Sequence, residues 1–559
     1  MIRNVAAIST ILLLVNGAVV PKWSETYRVK GILHIPYAEI DEPFFAWYDG
    51  PDNQSRIDYY GEMAKTYQLS GTFGYGTSVK IVPVTTEEKL NAKTCLQVNG
   101  SSENPIGVQT VLPDLTNFQL AGNDNLGEKW ELTTTIGQKV NKYSLWVRYK
   151  TDSQNNAKIA IPVRYEMRGY NSLLGSHYDH YYIEYFDFDI SSIPEQTFQI
   201  DPGKFPDCVS TQFIINDISA LTCSSFPGPG DKHIATFNPI AEFIRPEQQG
   251  HVDIEFDKFV KKHSKHYVDA LEEIVRKEVF RQNLRLIHSV NRQKRGYTLT
   301  VNHLADKTEN ELKVLRGKTF SGVYNGGLPF PYKNIKSSDL PVQVDWRLYG
   351  AVTPVKDQSV CGSCWSFGTV GAVEGAYFLK NGGNLVRLSQ QALIDCSWGY
   401  GNNGCDGGED FRAYQWILKH GGIPTEEDYG QYLGQDSYCH ADKVRKVAKI
   451  SGWINVTTND ENALRLALFK HGPISVAIDA SQKTFSFYSN GIYYDENCKN
   501  KEDELDHAVL AVGYGTMNGK NYWLIKNSWS NYWGNDGYIL MSSKNNNCGV
   551  MTTPTYVVM

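Results

Sequence analysis

A thiol and an imidazole in the last part of the chain have the types and spacing for nucleophilic catalysis. Cys364 stands in Gln358-Ser-Val-Cys361-Gly-Ser-Cys364-Trp365. This run matches the pattern Cys-Gly-[Ser/Ala]-Cys-[Trp/Tyr] that surrounds certain catalytic cysteines. His507 follows Cys364 by 143 residues, within the roughly 130–150 expected for a partner base. Asn527 lies 20 residues further on, in Lys526-Asn527-Ser528-Trp529. A thiol attacks a carbonyl carbon effectively only as thiolate, so it needs such a base beside it. Cys364 is expected to open a helix, where unpaired N–H groups and the helix dipole favour negative charge.

The cysteine count bears on the same residue. Of 10 cysteines, Cys95, Cys208 and Cys223 lie in the first half and seven lie after residue 340. Seven is odd, so at least one of these lacks a partner there. His303, His440 and His471 have no flanking motif and are assigned no role. His177, Asp179 and His180 cluster loosely, and a strand face accounts for them better than a metal site. No metal or other cofactor is expected.

The elements that must position these groups fall into segments. The chain has 559 residues and a net charge of −6, which suggests several domains and argues against a phosphate-neutralising nucleic-acid binder. Residues 1–17 read as a signal peptide: Arg3, then an uncharged run centred on Ile11 to Val15, too short for a membrane span. Residues 18–245 read as a β-rich domain, with alternation at Tyr143–Tyr149 and Tyr181–Phe188 and a break at Phe226-Pro-Gly-Pro-Gly230. Residues 251–339 read as a charged helical segment followed by a linker. In it Glu272, Arg276, Phe280, Asn283, Ile287 and Asn291 recur at four- and three-residue steps, along one helix face. The stretch 322–339 looks like an exposed, cleavable linker. Residues 340–559 begin helical, with a helix from Cys364 to Leu379, and end as strands such as Ile474–Ile478, Ala508–Val512 and Tyr522–Ile525. Sequons at Asn53, Asn99 and Asn455 are glycosylation candidates.

Residues 340–559 resemble a papain-family cysteine peptidase of the cathepsin L type. Val344-Asp-Trp346-Arg, Gly404-Cys-Asp-Gly-Gly408, Asp506-His507-Ala508 and Asn527-Ser-Trp529 carry the resemblance. The six-residue helical stripe is similar to that family's propeptide helix at every position. Asn302-His-Leu304-Ala-Asp306 matches the second propeptide motif in part, with Thr300 and Leu304 replacing Gly and Phe.

The resemblance implies an α+β papain-like fold, with a helical left domain, a β-barrel right domain and the cleft between them. It implies that Gln358 and the Cys364 N–H form the oxyanion hole, that Asn527 orients His507, and that Trp529 covers that bond. Gly362, Gly407, Gly408, Ala477, Leu505, Asp506, Ala508, Trp529 and Thr553 would bind substrate. Disulfides Cys361–Cys405, Cys396–Cys439 and Cys498–Cys548 would leave Cys364 free. Glu409 and Asp410 stand where apolar residues are more usual at a pocket mouth. They point either to solvent or toward tolerance of a basic substrate residue there.

The expected function is a cysteine endopeptidase made as a zymogen, acting through a Cys364 thioester on protein or peptide substrates. Its own propeptide would block the cleft, running opposite to substrate, until acid pH and cleavage near residues 335–342 release it. The order of segments resembles the insect 26/29-kDa proteinases, which implies a heterodimer of N-terminal and peptidase chains with the propeptide lost. The alternative is a ligand- or surface-binding protein that carries the peptidase as an accessory. The signal places the protein in the secretory pathway, in lysosome-like granules or outside the cell.

Overall fold

The computed structural model describes residues 19–72, 74–86, 88–103, 105–151, 158–200, 238–245 and 250–559. The expected signal peptide, the break at 226–230, Cys208 and Cys223 lie outside these. Alternating Val, Ile, Tyr and Phe make the first segment one antiparallel sheet of eleven strands. These are β1 (Thr26–Ile35), β2 (Ile40–Asp49), β3 (Gln54–Tyr59), β4 (Ala64–Leu69), β5 (Thr77–Val84), β6 (Ala92–Asn99), β7 (Gln119–Asp124), β8 (Gly127–Ile136), β9 (Lys139–Thr151), β10 (Lys158–Asn171) and β11 (Ser176–Asp189). The order is β6-β5-β4-β3-β2-β1-β11-β10-β9-β8-β7, two meanders joined where β1 meets β11. One face buries Tyr27, Val29, Leu33, Leu145, Tyr181 and Ile183.

Against that face lie short helix α1 (Ala241–Ile244), α2 (Gly250–Lys262) and α3 (Ala270–Asn291). Asp269 caps α3 by accepting from the N–H groups of Leu271 and Glu272. The sequence stripe does the work its residue types suggest. Phe280 is fully buried between Phe256 and Phe259, with ring centroids 5.4 and 5.0 Å away. Arg276 pairs with Glu272 and, at 2.6 Å, with Glu311. Glu311 closes a capping box with Thr308 at the start of α4 (Glu309–Val314). Asn283 Nδ2 donates to Ala305 O, and Asn291 bonds both backbone groups of Leu299. The two replaced motif positions are accommodated: Leu304 is buried, and Thr300 N–H donates to Phe487 O.

The last segment opens with helices α5 (Cys364–Lys380), α6 (Gln390–Cys396) and α7 (Asp410–Lys419). Its later strands form a second, ten-stranded sheet. Tyr297–Leu299 adds a strand at one end of that sheet, antiparallel to Tyr488–Tyr493. Linker residues Leu328–Pro329 add one at the other end, parallel to Gly452–Asn455. One hydrophobic core runs from the first sheet through α2 and α3 into this second sheet.

The structure contains disulfides Cys361–Cys405, Cys396–Cys439 and Cys498–Cys548, and Cys364 is a free, buried thiol. Cys95 is also disulfide-bonded. Among the glycosylation candidates, Asn53 is exposed in a turn. Asn99 is buried, and its Oδ1 accepts from Thr77 and Gln97. Asn455 is half-buried and exchanges two side-chain bonds with Asn325. His177, Asp179 and His180 do not converge, since Asp179 bonds Arg285 and Gln282 while His180 bonds Glu166.

Candidate active site

Helix α5 begins at Cys364, and Ser363 offers no side-chain cap. No side chain competes for the N–H groups of Cys364 and Trp365, which favour a thiolate, while the Ser366 N–H donates to Ser363 O. The strand His507–Met517 runs past the thiol: the Ala508 N–H lies 3.5 Å from Cys364 Sγ. His507 Nε2 bonds Asn527 Oδ1 at 2.8 Å, and its Nδ1 is buried in the filled cleft. Trp529 is buried with its ring centroid 4.8 Å from that of the imidazole. Gln358 is fixed from one side by Ser528, whose Oγ donates to its Oε1 at 2.6 Å. That leaves the Gln358 Nε2 donors free to point at the cleft and at Cys361 O.

The cleft is filled by the chain itself. The residues after α4 run through it, and Leu315 O accepts from Gln358 Nε2 at 2.9 Å. Gly317 O accepts from Gly408 N–H at 2.9 Å, and Thr319 N–H donates back to Gly408 O at 3.0 Å. Lys318 N–H donates to Asp506 O at 3.0 Å. The ladder between Lys318 and Gly408 is parallel. Gly317 passes so close that a Cβ there would lie 1.8 Å from Gly362 O, which requires glycine. Arg316, nearly buried, pairs with Asp506 at 2.9 Å and with Glu309.

This filling changes the electrostatics. Burial pushes the Cys364 thiol up to about 11 and the His507 imidazole down to about 4. Burial also raises Asp506 to about 6, although Arg316 opposes that rise. Desolvation disfavours every charged form, so the filled cleft holds a neutral thiol beside a neutral imidazole.

The structure gathers Gln358, Cys364, His507, Asn527, Trp529, Gly362, Gly408, Asp506 and Ala508 around this cleft, with Gly407 next to Gly408. Ala477 pairs with Ala508 across neighbouring strands. Leu505 is buried beside Gly549, and Thr553 is half-buried in the turn before the last strand. Glu409 and Asp410 do not simply face solvent. Glu409 is buried, pairs with Arg412, and accepts from Ser321 N–H. Asp410 Oδ2 accepts from Ser475 Oγ at 3.1 Å and from Thr555 Oγ1 at 2.7 Å. Sequence reasoning missed Ser475 and Thr555. Each lies two residues from a residue it did name, Ala477 and Thr553.

Comparison with known proteins gives the following. Residues 340–558 match the family described as papain family cysteine protease, and residues 256–312 match the cathepsin propeptide inhibitor domain. A cathepsin L-like peptidase of Aedes aegypti is 43% identical over 316 residues, covering 54% of this chain and 92% of that protein. Digestive cysteine proteinase 3 of Homarus americanus is 44% identical over 306 residues, covering 54% and 93%. The solved digestive procathepsin L2 proteinase of Tenebrio molitor larval midgut is 34% identical with a TM-score of 0.51, covering 55% of this chain and all of that one. The eleven-stranded sheet precedes both matched family regions.

Proposed function

The chain belongs to the papain family of cysteine proteases, and on that premise we propose how its own residues hydrolyse peptide bonds. It is a cathepsin L-like cysteine proteinase made as a proenzyme with an inhibitory propeptide. In the reading proposed, the Cys364 thiolate attacks the substrate carbonyl carbon. Gln358 Nε2 and the Cys364 N–H stabilise the oxyanion. Protonated His507, oriented by Asn527, gives its proton to the leaving amine as the thioester forms. Water, deprotonated by His507, then hydrolyses the thioester, and the sulfur leaves as thiolate beside the reprotonated imidazole.

One observation carries this reading: a peptide carbonyl, that of Leu315, already sits on Gln358 Nε2. Gly408 and Asp506 hold the next residues by backbone bonds, as strand addition would hold a substrate. Substrate running the other way would use the same groups, with a helical half and a barrel-like half of the enzyme flanking it. Glu409, Asp410, Ala477, Ala508, Leu505 and Thr553 would shape the pocket beyond. The Asp410 carboxylate supports acceptance of a basic residue in it. Fluorogenic dipeptides test this: Asp410→Ala should lose activity on Arg-containing members relative to Leu-containing ones, and strict Leu or Phe preference in the wild type would sink it.

Segments 1–17, 18–245, 251–339 and 340–559 then act in order as signal, β-rich domain, inhibitory propeptide with linker, and peptidase. The enzyme would travel the secretory pathway to lysosome-like granules or outside the cell. Part of the reading is a heterodimer in which the N-terminal chain stays with the peptidase chain, aided by the Glu39–Lys483 pair. Native mass spectrometry of processed protein checks it; a peptidase chain running alone would contradict it. The hydrolysis itself is tested by following a peptide substrate before and after linker cleavage. Activity should appear with the cut and be absent in Cys364→Ala.

A further inference from the structure

Helix α3 buries two opposite faces. One carries the stripe from Glu272 to Asn291. The other carries Glu278, Arg281, Arg285, Ser289 and Arg292, spaced by three, four, four and three residues. Residue types of this kind usually stay in water, yet Arg285 is only 5% exposed and Ser289 1%.

The sheet covers them. Arg285 pairs with Asp179 of β11 at 2.8 Å and with Glu242 of α1 at 2.6 Å. Arg292 pairs with Glu42 of β2 at 2.6 Å, and Ser289 Oγ donates to the same carboxylate at 2.9 Å. Tyr60 OH bonds Ser289, Gln282 Nε2 donates to Asp179, and Lys139 pairs with Glu278 at the rim. Asp179 and Glu42 are themselves 0% and 1% exposed. Buried carboxylates without such partners are strongly unfavourable, so this sheet face is matched to a helix presenting arginines one heptad apart. By contrast, the ion pair from Glu39, in the turn between β1 and β2, to Lys483 is exposed.

We propose that the N-terminal sheet is a receptor for the outer face of the inhibitory helix and thereby tightens inhibition of the peptidase. The proposal rests on the reading of residues 251–339 as the inhibitor. Isolated helices are marginal in water, so a segment held in its helical shape from behind pays less ordering entropy when it binds the enzyme. Two partners gripping opposite faces of one helix are positively coupled, and the coupling is reciprocal.

The test uses the full chain, kept uncut at neutral pH, with an epoxide probe for the active thiol and amide hydrogen exchange. Glu42→Gln with Asp179→Asn should label at least about tenfold faster than wild type and exchange faster across 278–291. Glu42→Arg with Arg292→Glu should return to within about threefold. If the first pair misfolds, Tyr60→Phe with Lys139→Ala should shift both readouts in the same direction. Wild-type labelling and exchange in Glu42→Gln with Asp179→Asn, or in Tyr60→Phe with Lys139→Ala, would overturn the proposal. A processed wild-type chain that takes no probe would instead overturn the catalytic reading.

Discussion

Gln358 is the residue whose two amide atoms link catalysis to inhibition. Its Nε2 faces the cleft because Ser528 holds its Oε1. Gln358→Ala should therefore lower kcat by about 10²–10³-fold, the usual cost of one oxyanion donor. Steady-state kinetics on processed enzyme checks this, and an unchanged kcat would remove Gln358 from the oxyanion hole. Asn527→Ala should leave Cys364 labelled more slowly, because the imidazole loses its orienting partner. At this scale the sequence was most legible. Cys364, His507 and Asn527 each sit in a short motif whose neighbours are local, such as Ser528 and Trp529. Ser475, Thr555 and Leu315 reach the site from distant strands or from the inhibitor, with no local pattern to announce them.

At the scale of elements, the hairpin of α2 and α3 is held by Phe280. Phe280→Ala should cost about 3–5 kcal/mol of the segment's stability and let the uncut precursor react with the thiol probe. Thermal melts alongside labelling rates read both. The loop after α2 and the segment after α3 carry a pH response where they meet the peptidase. His263 and His303 pack on Tyr532 with ring centroids 5.1 and 6.1 Å away. Burial, then Lys262 and Lys265, lowers His263 to about 4; burial, then Lys265 and His263, lowers His303 to about 3. Asp306 acts on His263 in the opposite sense. A released histidine titrates near 6.5, so between about 6.5 and 4 the free segment binds protons that the docked one does not. Docking therefore weakens as pH falls through that window. Asp506, raised by burial, works the other way below about 6. His263→Phe should flatten the rise in linker cleavage rate between pH 6.5 and 4; an unchanged profile would assign the response elsewhere. The first stripe of α3 was legible because its six residue types are distinctive. The second was not, since Glu, Arg and Ser at helical spacing read as a solvated surface.

Across the whole molecule, the alternation in the first 200 residues foretold strands and nothing of their order. Strand pairing is set by contacts distant in sequence, such as β1 with β11, and a period of two carries no trace of them. The propeptide and peptidase were legible together because their motifs are dense; the sheet became intelligible only through what it grips. The filled cleft makes the central claim directly testable. Cys364 is the free thiol among the described residues, and the occupied site keeps it neutral, whereas activated thiolates have pKa values of roughly 3.5–7.5. The decisive measurement is epoxide labelling followed by mass spectrometry, on uncut and processed chains side by side. The account predicts adduct on Cys364 alone, fast after the linker is cut and slow before. Adduct on another residue, or equal rates before and after the cut, would contradict it.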